Sequence, residues 1–327
     1  MGIRLVVRPR VIVTKEEFMQ YPPYSIAIDG FCSGAPFFLP TRRLLNINHH
    51  EDCDRIATRA SCAQAFHRLN LGLYDTFAHH GHPRADLYVG DGDQDVSMTT
   101  YALMHHKQIQ DPRYRYKFKE MVQVEDLLDM SAGLYPFKRA KRWCLMRRLL
   151  WINEPYTDAR ADGSLHTMDA DTMHAMILQV HRRIRDTLYG RGKEVELDDR
   201  FDVLADFGQW QFIREIGKHA RIGVAQKGLK AFVSHLAPCS GAEGDRYVII
   251  RIAELIDWFP LQLICDLLNK EERMLNPGST DSWGGNYDVV IGSPRGHGSK
   301  IKPHRVLEIV KHACEMQADL LARDTLS

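Results

Sequence analysis

Three short apolar runs in the first third of the chain each end directly in side chains that can bind a metal ion. SIAI is followed by Asp29, LLNIN by His49 and His50, and DLYVG by the aspartates Asp91, Asp93 and Asp95. Helical patterns are predicted between and after these runs, over 59–71 and 96–106. Such alternation is typical of a parallel sheet covered by helices, whose strands end at one shared edge. The sequence therefore predicts an α/β fold that brings these groups together.

The rest of the chain divides into two further regions. Residues 116–195 are mostly helical in pattern, and the clearest helix is predicted over 168–188, where apolar residues recur every three or four positions. We interpret this methionine-rich stripe as core packing. Strand candidates return from about residue 196. We therefore expect an N-terminal domain (1–115) with a parallel sheet and flanking helices, a helical connecting region (116–195) and a second, smaller α/β domain (196–327).

Composition narrows the class of protein. The 327 residues are 44% hydrophobic, which is sufficient for a large folded core, and the formal net charge is only +1. Any polyanion would therefore be held by a local patch rather than by a global field. The seven cysteines show no CxxC spacing, so neither a disulfide scaffold nor a zinc-thiolate site is expected. We find no membrane span or secretory signal and expect a cytoplasmic protein; its oligomeric state stays open.

The converging groups suit one kind of metal, although each has a simpler interpretation. Carboxylate oxygen combined with imidazole nitrogen favours borderline cations such as Mn²⁺. An aspartate after a strand, such as Asp29 or Asp95, is also a common turn former or helix N-cap. The histidine pair could be exposed. The GDGDQD segment resembles the start of a calcium loop, but the later glycine and glutamate of an EF-hand are missing.

A family resemblance covers residues 24–106. The segment NINHHEDCDRIATRASCAQAF, beginning at Asn46, resembles the signature of the DHH phosphoesterase superfamily. The upstream IAIDGF and the downstream LYVGDGDQDVSMTTYAL resemble two further aspartate motifs of that family. The resemblance implies that Asp29, His49 and one of Asp91 or Asp93 bind Mn²⁺ or Mg²⁺. It also implies that His50 faces the substrate phosphate.

The chain departs from the family pattern in two places. The opening motif, an aspartate pair preceded by a histidine, has no match in MGIRLVVRPRVIVTKEEF. The first residue of the signature is Asn48 here, which removes a negative charge. Because a two-metal site needs enough anionic ligands, we expect Asp93 and Asp95 to replace the missing pair.

Two arginines follow the histidine pair and could clamp a phosphate. Arg55 and Arg59 are four residues apart and would share one face of a helix. The planar guanidinium group matches phosphate oxygens, so we assign both to the catalytic region beside His50. The alternative is a surface salt bridge to Glu51 or Asp52.

A glycine-rich segment near the C-terminus, GSPRGHGSK, could hold the distal part of a substrate. Its backbone N–H groups can line an anion, and five side chains add polar groups: Ser293, Arg295, His297, Ser299 and Lys300. Its placement resembles that of the substrate-binding domain that accompanies the DHH family. A simple turn is the alternative. The longer stretch 276–300, which contains this segment, is predicted to be loop on either side of one short strand.

Two other charged segments receive less specific interpretations. The basic run 138–142, followed by Arg147 and Arg148, could track a nucleic-acid backbone or form a solvated helix face. The AHHGHPRAD segment places His79, His80 and His82 in a turn, where we expect surface or capping roles.

Together these features predict a metal-dependent hydrolase of phosphoester or phosphoanhydride bonds. The expected substrates are nucleotides or single-stranded nucleic-acid ends, held across an interdomain cleft. The alternative is a catalytically decayed relative that binds nucleotides or serves in an assembly. A calcium-dependent interaction module is a third possibility.

Overall fold

The computed structural model describes residues 2–137, 141–236, 244–253 and 255–324. The chain divides into two compact units. Unit 1 comprises Met1–Met130 and Phe137–Glu196, and unit 2 comprises Ser131–Pro136 and Leu197–Ser327. Both units combine a β-sheet with helices, so the predicted α/β class is confirmed. The helices of residues 116–195 lie in unit 1.

Unit 1 is built on a five-stranded sheet in which four strands are parallel. The strand order is β1-β7-β2-β4-β3, and β3 is the antiparallel edge strand. These strands, with a short hairpin formed by β5 and β6, are β1 (Ile3–Val7), β2 (Ser25–Ile28), β3 (Phe37–Leu39), β4 (Leu44–Ile47), β5 (Ala78–His79), β6 (His82–Pro83) and β7 (Ala85–Val89). Strand β1 ends at Val7, because Pro9 lacks an N–H donor and Arg10 turns the backbone at φ +63°.

Eight helices of unit 1 are described. They are α1 (Lys15–Phe18), α2 (Ser61–Asn70), α3 (Leu73–Thr76), α4 (Gln94–Met104), α5 (His106–Gln110), α6 (Pro112–Asp129), α7 (Lys141–Ala161) and α8 (Ala170–Leu188). The predicted core stripe of α8 is confirmed, since Met173, Ile177, Val180 and Ile184 are all buried. Asp169 caps this helix by accepting the Thr172 N–H at 2.8 Å.

Unit 2 contains a six-stranded, mostly antiparallel sheet in the order β12-β13-β11-β10-β9-β8. Its elements are β8 (Phe201–Asp206), β9 (Trp210–Glu215), α9 (Ala220–Gln226), β10 (Ala231–Leu236), β11 (Arg246–Arg251), α10 (Leu261–Leu275), β12 (Gly284–Asn286), β13 (Val290–Gly292) and α11 (Pro303–Asp324). The prediction of one strand within 276–300 was wrong, because β12 and β13 form a hairpin there.

Successive side chains of the unit 2 strands face opposite sides of the sheet, and both sides are covered. Phe212, Val233 and Ile249 pack with residues of α10 and α11. Their neighbours Ile213 and Phe232 pack on the other face with α9 and with Leu134 of the 131–136 segment. Within the described residues of both units, no helix combines the length and apolar character that crossing a bilayer requires.

A buried carboxylate anchors the glycine-rich segment of unit 2. Glu272 of α10 accepts hydrogen bonds from Trp283 Nε1 at 3.1 Å, Ser299 Oγ at 2.5 Å and the Lys300 N–H at 2.8 Å. The glutamate is 4% exposed, so these three donors replace its hydration. The segment therefore has a fixed internal support.

We expect Glu272→Gln to destabilise unit 2 by about 2 kcal/mol, because an amide cannot accept from all three donors. Urea unfolding followed by tryptophan fluorescence measures the loss. The matched control is Glu271→Gln, which removes an ion pair to the exposed Arg305 and should cost much less. Equal unfolding curves for the two variants would contradict the anchoring role.

Candidate metal centre

The site is assembled at the carboxyl ends of two neighbouring parallel strands. Asp29 follows β2, and His49 and His50 follow β4. Ile28 lies opposite Ile47 in register, and the Asp29 N–H donates to the Ile47 carbonyl at 2.8 Å. Asp29 has φ +50°, a left-handed conformation that is unfavourable for residues other than glycine. Such strain is found most often at functional sites.

His49 is the centre of the cluster. Its side chain is 1% exposed, and its Nε2 lies 3.1 Å from Asp29 Oδ1, 3.0 Å from Asp129 Oδ2 and 3.7 Å from Asp95 Oδ2. Three elements supply these carboxylates: the end of β2, the first turn of α4 and the last residue of α6. One buried imidazole therefore lies among three acidic groups that are distant in sequence.

Two overlapping sets of side chains could each hold a cation. Asp29, His49 and His50 form one set, and His49, Asp95 and Asp129 form the other. Within each set the candidate ligand atoms all lie within 4.8 Å of one another. The donors are carboxylate oxygen and imidazole nitrogen, which fit Mn²⁺ and, with more oxygen, Mg²⁺.

His50 is held in one orientation by two partners. Its Nε2 lies 2.9 Å from Asp29 Oδ1, and its Nδ1 lies 3.1 Å from Nη1 of Arg55. A guanidinium group only donates hydrogen bonds, so we assign Nδ1 as the acceptor and place the hydrogen on Nε2, facing Asp29. With its side chain 30% exposed, His50 opens toward solvent far more than His49 does.

The two arginines do not share the predicted helix face. Neither lies on a helix, because α2 begins at Ser61. Arg55 is 5% exposed and donates to the carbonyl of Asp129 at 2.9 Å as well as facing His50, so it positions site residues. Arg59 is exposed and pairs with Asp126 at 2.8 Å, a partner that the sequence analysis did not anticipate.

Asp95 links the cluster to the start of α2. Its two oxygens accept the backbone N–H groups of Ser61 at 2.6 Å and Cys62 at 2.7 Å. The first N–H groups of a helix have no intrahelical acceptor, and Ala60 at the N-cap supplies no side-chain oxygen. Ser61 in turn donates its hydroxyl to Asp29 Oδ1 at 3.1 Å. The α2 terminus and the cluster therefore stabilise each other.

Asp91 and Asp93, the other two aspartates that follow β7, have local hydrogen-bond partners. Asp91 accepts the Gly92 N–H at 2.7 Å and the Tyr156 hydroxyl at 3.1 Å. Asp93 is the N-cap of α4 and accepts the Val96 N–H at 2.9 Å. Neither residue belongs to the two candidate ligand sets, although both were predicted as ligands. The N-cap role considered for Asp29 or Asp95 is filled by Asp93.

The cluster concentrates charge in a buried place, and its pKa values show how that charge is balanced. Burial opposes ionisation of Asp29, but the charges and hydrogen bonds of His50 and His49 outweigh it and hold the Asp29 pKa well below its usual range. Burial lowers the pKa of His49, yet Asp129 and Asp29 raise it overall to about 11. Burial and the charges of Asp29 and Asp129 raise the pKa of Asp95 to about 7.

Sequence analysis missed two acidic residues of α6. Asp129 contacts His49, and Glu125 is buried with Gln94 as its hydrogen-bond partner. Burial and the neighbouring charges of Asp129, Asp95 and Asp93 raise the Glu125 pKa well above its usual range. One signal was available: Glu125 lies four residues after the buried Met121, so an acid occupies the apolar face of the helix.

Asn48 is an internal support rather than a displaced ligand. The side chain is fully buried, and its Nδ2 donates to the Gly34 carbonyl at 2.9 Å. Its Oδ1 accepts the His49 N–H at 2.8 Å and the His50 N–H at 3.2 Å. The amide therefore shapes the turn that presents both imidazoles, and a carboxylate could not donate to the carbonyl.

The predicted substrate-binding residues of the glycine-rich segment fall into a buried group and a more exposed group. Ser293 and Ser299 are buried, and their hydroxyls accept the N–H groups of Tyr247 and Ile301, each at 3.0 Å. These serines support the loop. Arg295 and His297 are exposed and Lys300 is half-buried, so these three side chains are the ones placed to contact a ligand.

The basic run is only partly visible. Lys138, Arg139 and Ala140 lie outside the described residues. Lys141 pairs with Glu120, while Arg147 and Arg148 both pair with Glu194, at 3.4 and 2.9 Å. Three of the described cations are therefore ion-paired, with two carboxylates between them.

Comparison with known proteins yields no relative: no protein-family model matches the chain, and no curated protein matches it.

We expect Asn48→Asp to destabilise unit 1 by about 2 kcal/mol, because an anionic oxygen would replace the donor that faces buried carbonyls. Chemical denaturation measures the change. Asn70→Asp, at the end of α2, is the control and should have a smaller effect because its side chain is only half-buried. A fully stable Asn48→Asp protein would show that the amide donor is dispensable.

We also expect Mn²⁺ affinity to increase about tenfold per pH unit between about pH 8 and 9, which is above the pKa of about 7 for Asp95. His49 is protonated in this range, since its pKa is raised to about 11, and a cation must displace that proton to use Nε2. Calorimetric titrations at several pH values measure the slope. Replacing His49 with Gln should flatten it, whereas His67→Gln on the exposed face of α2 should not. A flat slope in the unchanged protein would exclude His49 as a ligand.

Proposed function

We propose that this protein is a metal-dependent hydrolase of phosphoester or phosphoanhydride bonds, related to the DHH phosphoesterase superfamily. One observation carries the proposal. One imidazole, that of His49, lies at the carboxyl edge of a parallel sheet with carboxylate oxygens around its Nε2. These oxygens belong to Asp29, Asp95 and Asp129. That edge is where open α/β sheets bind their ligands.

The donor set supports Mn²⁺, or Mg²⁺, as the cofactor. Asp29, His49, Asp95 and Asp129 would hold it. When bound, the cation supplies a water of lowered pKa and neutralises charge that develops on the phosphate. Asp93 lies beside this set, and burial together with the charges of Asp29 and Asp91 raises its pKa well above its usual range.

In the proposed reaction His50 contacts the substrate phosphate. It is the more exposed imidazole, and its Nε2–H is a donor beside Asp29. Arg55 fixes the ring through Nδ1, so the donor direction is set before a substrate arrives. In this role the Nε2–H that faces Asp29 is shared with a phosphate oxygen of the substrate.

Two features favour the hydrolase over a decayed relative. Asp95 offsets the missing opening motif. It lies in α4, the helix that follows β7, and β7 is the neighbour of β2 in the sheet. The loss of charge at Asn48 falls on a buried amide that supports the turn carrying both imidazoles. Nucleotides or single-stranded nucleic-acid ends remain the proposed substrates, with Arg295, His297 and Lys300 as candidate contacts in unit 2.

The test is hydrolysis of bis(p-nitrophenyl) phosphate with and without Mn²⁺. We expect metal-dependent release of nitrophenol and a loss of at least about 100-fold in Asp29→Asn and Asp129→Asn. Asp75→Asn changes an exposed aspartate of α3 and should retain full activity. An inactive wild-type protein that binds nucleotides equally well in EDTA would instead support the decayed binding protein.

A further inference from the structure

The edge of the unit 1 sheet opposite the metal centre carries a cluster of positive charge. Tyr24, Arg43 and Arg84 each directly precede a strand, namely β2, β4 and β7. These strands are parallel, so their amino ends lie at one edge and their carboxyl ends at the other. The cluster and the candidate metal centre therefore occupy opposite edges of the same sheet.

The two arginines are held in place rather than extended into solvent. The guanidinium carbon of Arg43 lies 5.1 Å from the centroid of the Tyr24 ring, and that of Arg84 lies 4.9 Å from it. Arg43 also donates Nε–H to the Thr76 carbonyl at 3.0 Å. Fixed guanidinium groups lose little conformational entropy when they bind an anion.

The positive charge at this edge is not neutralised by nearby acids. Across the described ranges, no carboxylate pairs with Arg43 or Arg84, and neither side chain is fully buried. Asp86, at the start of β7, is engaged by Arg4, with both contacts at 3.0 Å. A pair of half-buried guanidinium groups without a partner acid is suited to binding phosphate.

The β5–β6 hairpin adds three exposed imidazoles beside the arginines. His79 lies opposite His82 across the hairpin, and the rings of His79 and His80 are 4.1 Å apart. The His79 ring is also 6.2 Å from the Tyr24 ring. Slight burial and the charges of His80, Arg84 and Arg43 lower the pKa of His79, which is consistent with a positive potential at the hairpin.

An exposed aromatic ring accompanies these cations. Phe38 on β3 is 42% exposed, and its ring lies 6.2 Å from Phe77, which is in turn 6.4 Å from Tyr24. Phe38 pairs with Leu45 near the start of β4, so it lies at the same end of the sheet as Arg43. Exposed aromatics beside fixed cations form the usual surface for single strands, because phosphates bind the cations and unpaired bases stack on the ring.

We propose that this surface binds single-stranded nucleic acid. We name it the amino-end patch and define it by Phe38, Arg43, His79, His80, His82 and Arg84. Its arginines and histidines contact the phosphates, and Phe38 stacks on a base. Nucleic-acid binding at the patch does not require the metal centre, so we expect it to be independent of any hydrolytic activity.

The test measures fluorescence anisotropy of a labelled oligothymidylate of about twelve nucleotides, in EDTA and at about 50 mM salt. We expect binding that weakens with added salt, and a loss of at least about tenfold in Arg43→Gln/Arg84→Gln. Because that double variant also removes packing against Tyr24, His80→Glu/His82→Glu at the exposed hairpin tip provides an independent loss of affinity. Phe38→Ala should weaken binding of the single strand and leave the affinity for a duplex of equal length unchanged.

The matched control is Arg115→Gln/Arg182→Gln, which removes the same charge from exposed positions on α6 and α8. It should retain wild-type affinity. The proposal fails if the oligonucleotide does not bind, or if the control and patch variants lose affinity equally. It also fails if duplex binds as tightly as the single strand and its affinity is unchanged by Phe38→Ala. None of these results would bear on nitrophenol release, so a failed patch and a failed hydrolase are distinguishable.

Discussion

The ion pairing of His49 with carboxylates from three separate elements is the constraint on which unit 1 depends. Asp29, Asp95 and Asp129 approach one imidazole that has almost no contact with solvent. Burying several like charges is strongly unfavourable unless each finds a partner. Here the compensation comes from the imidazolium, from N–H groups at the start of α2 and from Arg55. Moving any one of these elements would leave a buried charge without a partner.

The same compensation explains why the site is compact before any cofactor arrives. A proton on His49 supplies the positive charge that a divalent cation would otherwise provide. Exchange of that proton for a divalent cation would add one positive charge, which loss of a proton from Asp95, whose pKa is raised to about 7, would offset. Stability and the proposed metal binding are therefore coupled through one ring nitrogen.

Much of this arrangement could be predicted from the sequence. Apolar runs ending in Asp29 and in the histidine pair, with helices between them, fix a parallel sheet and the edge where its polar groups meet. Asp129 could not be located in this way, because it approaches His49 through the packing of α6, which no local pattern specifies. The same limit applies to Arg55, whose partners His50 and Asp129 depend on a non-helical turn. The roles of Asp93 and Asp95 were not separable, since both follow β7 and only the helix geometry decides which one caps α4.

The central claim is that His49, Asp29, Asp95 and Asp129 form one cation site, and a crystal structure with bound Mn²⁺ tests it most directly. Anomalous scattering should locate manganese in contact with Nε2 of His49 and with carboxylate oxygens from at least two of those three aspartates. Manganese bound elsewhere, with His49 still paired to Asp29 and Asp129 at saturating metal, would contradict the account.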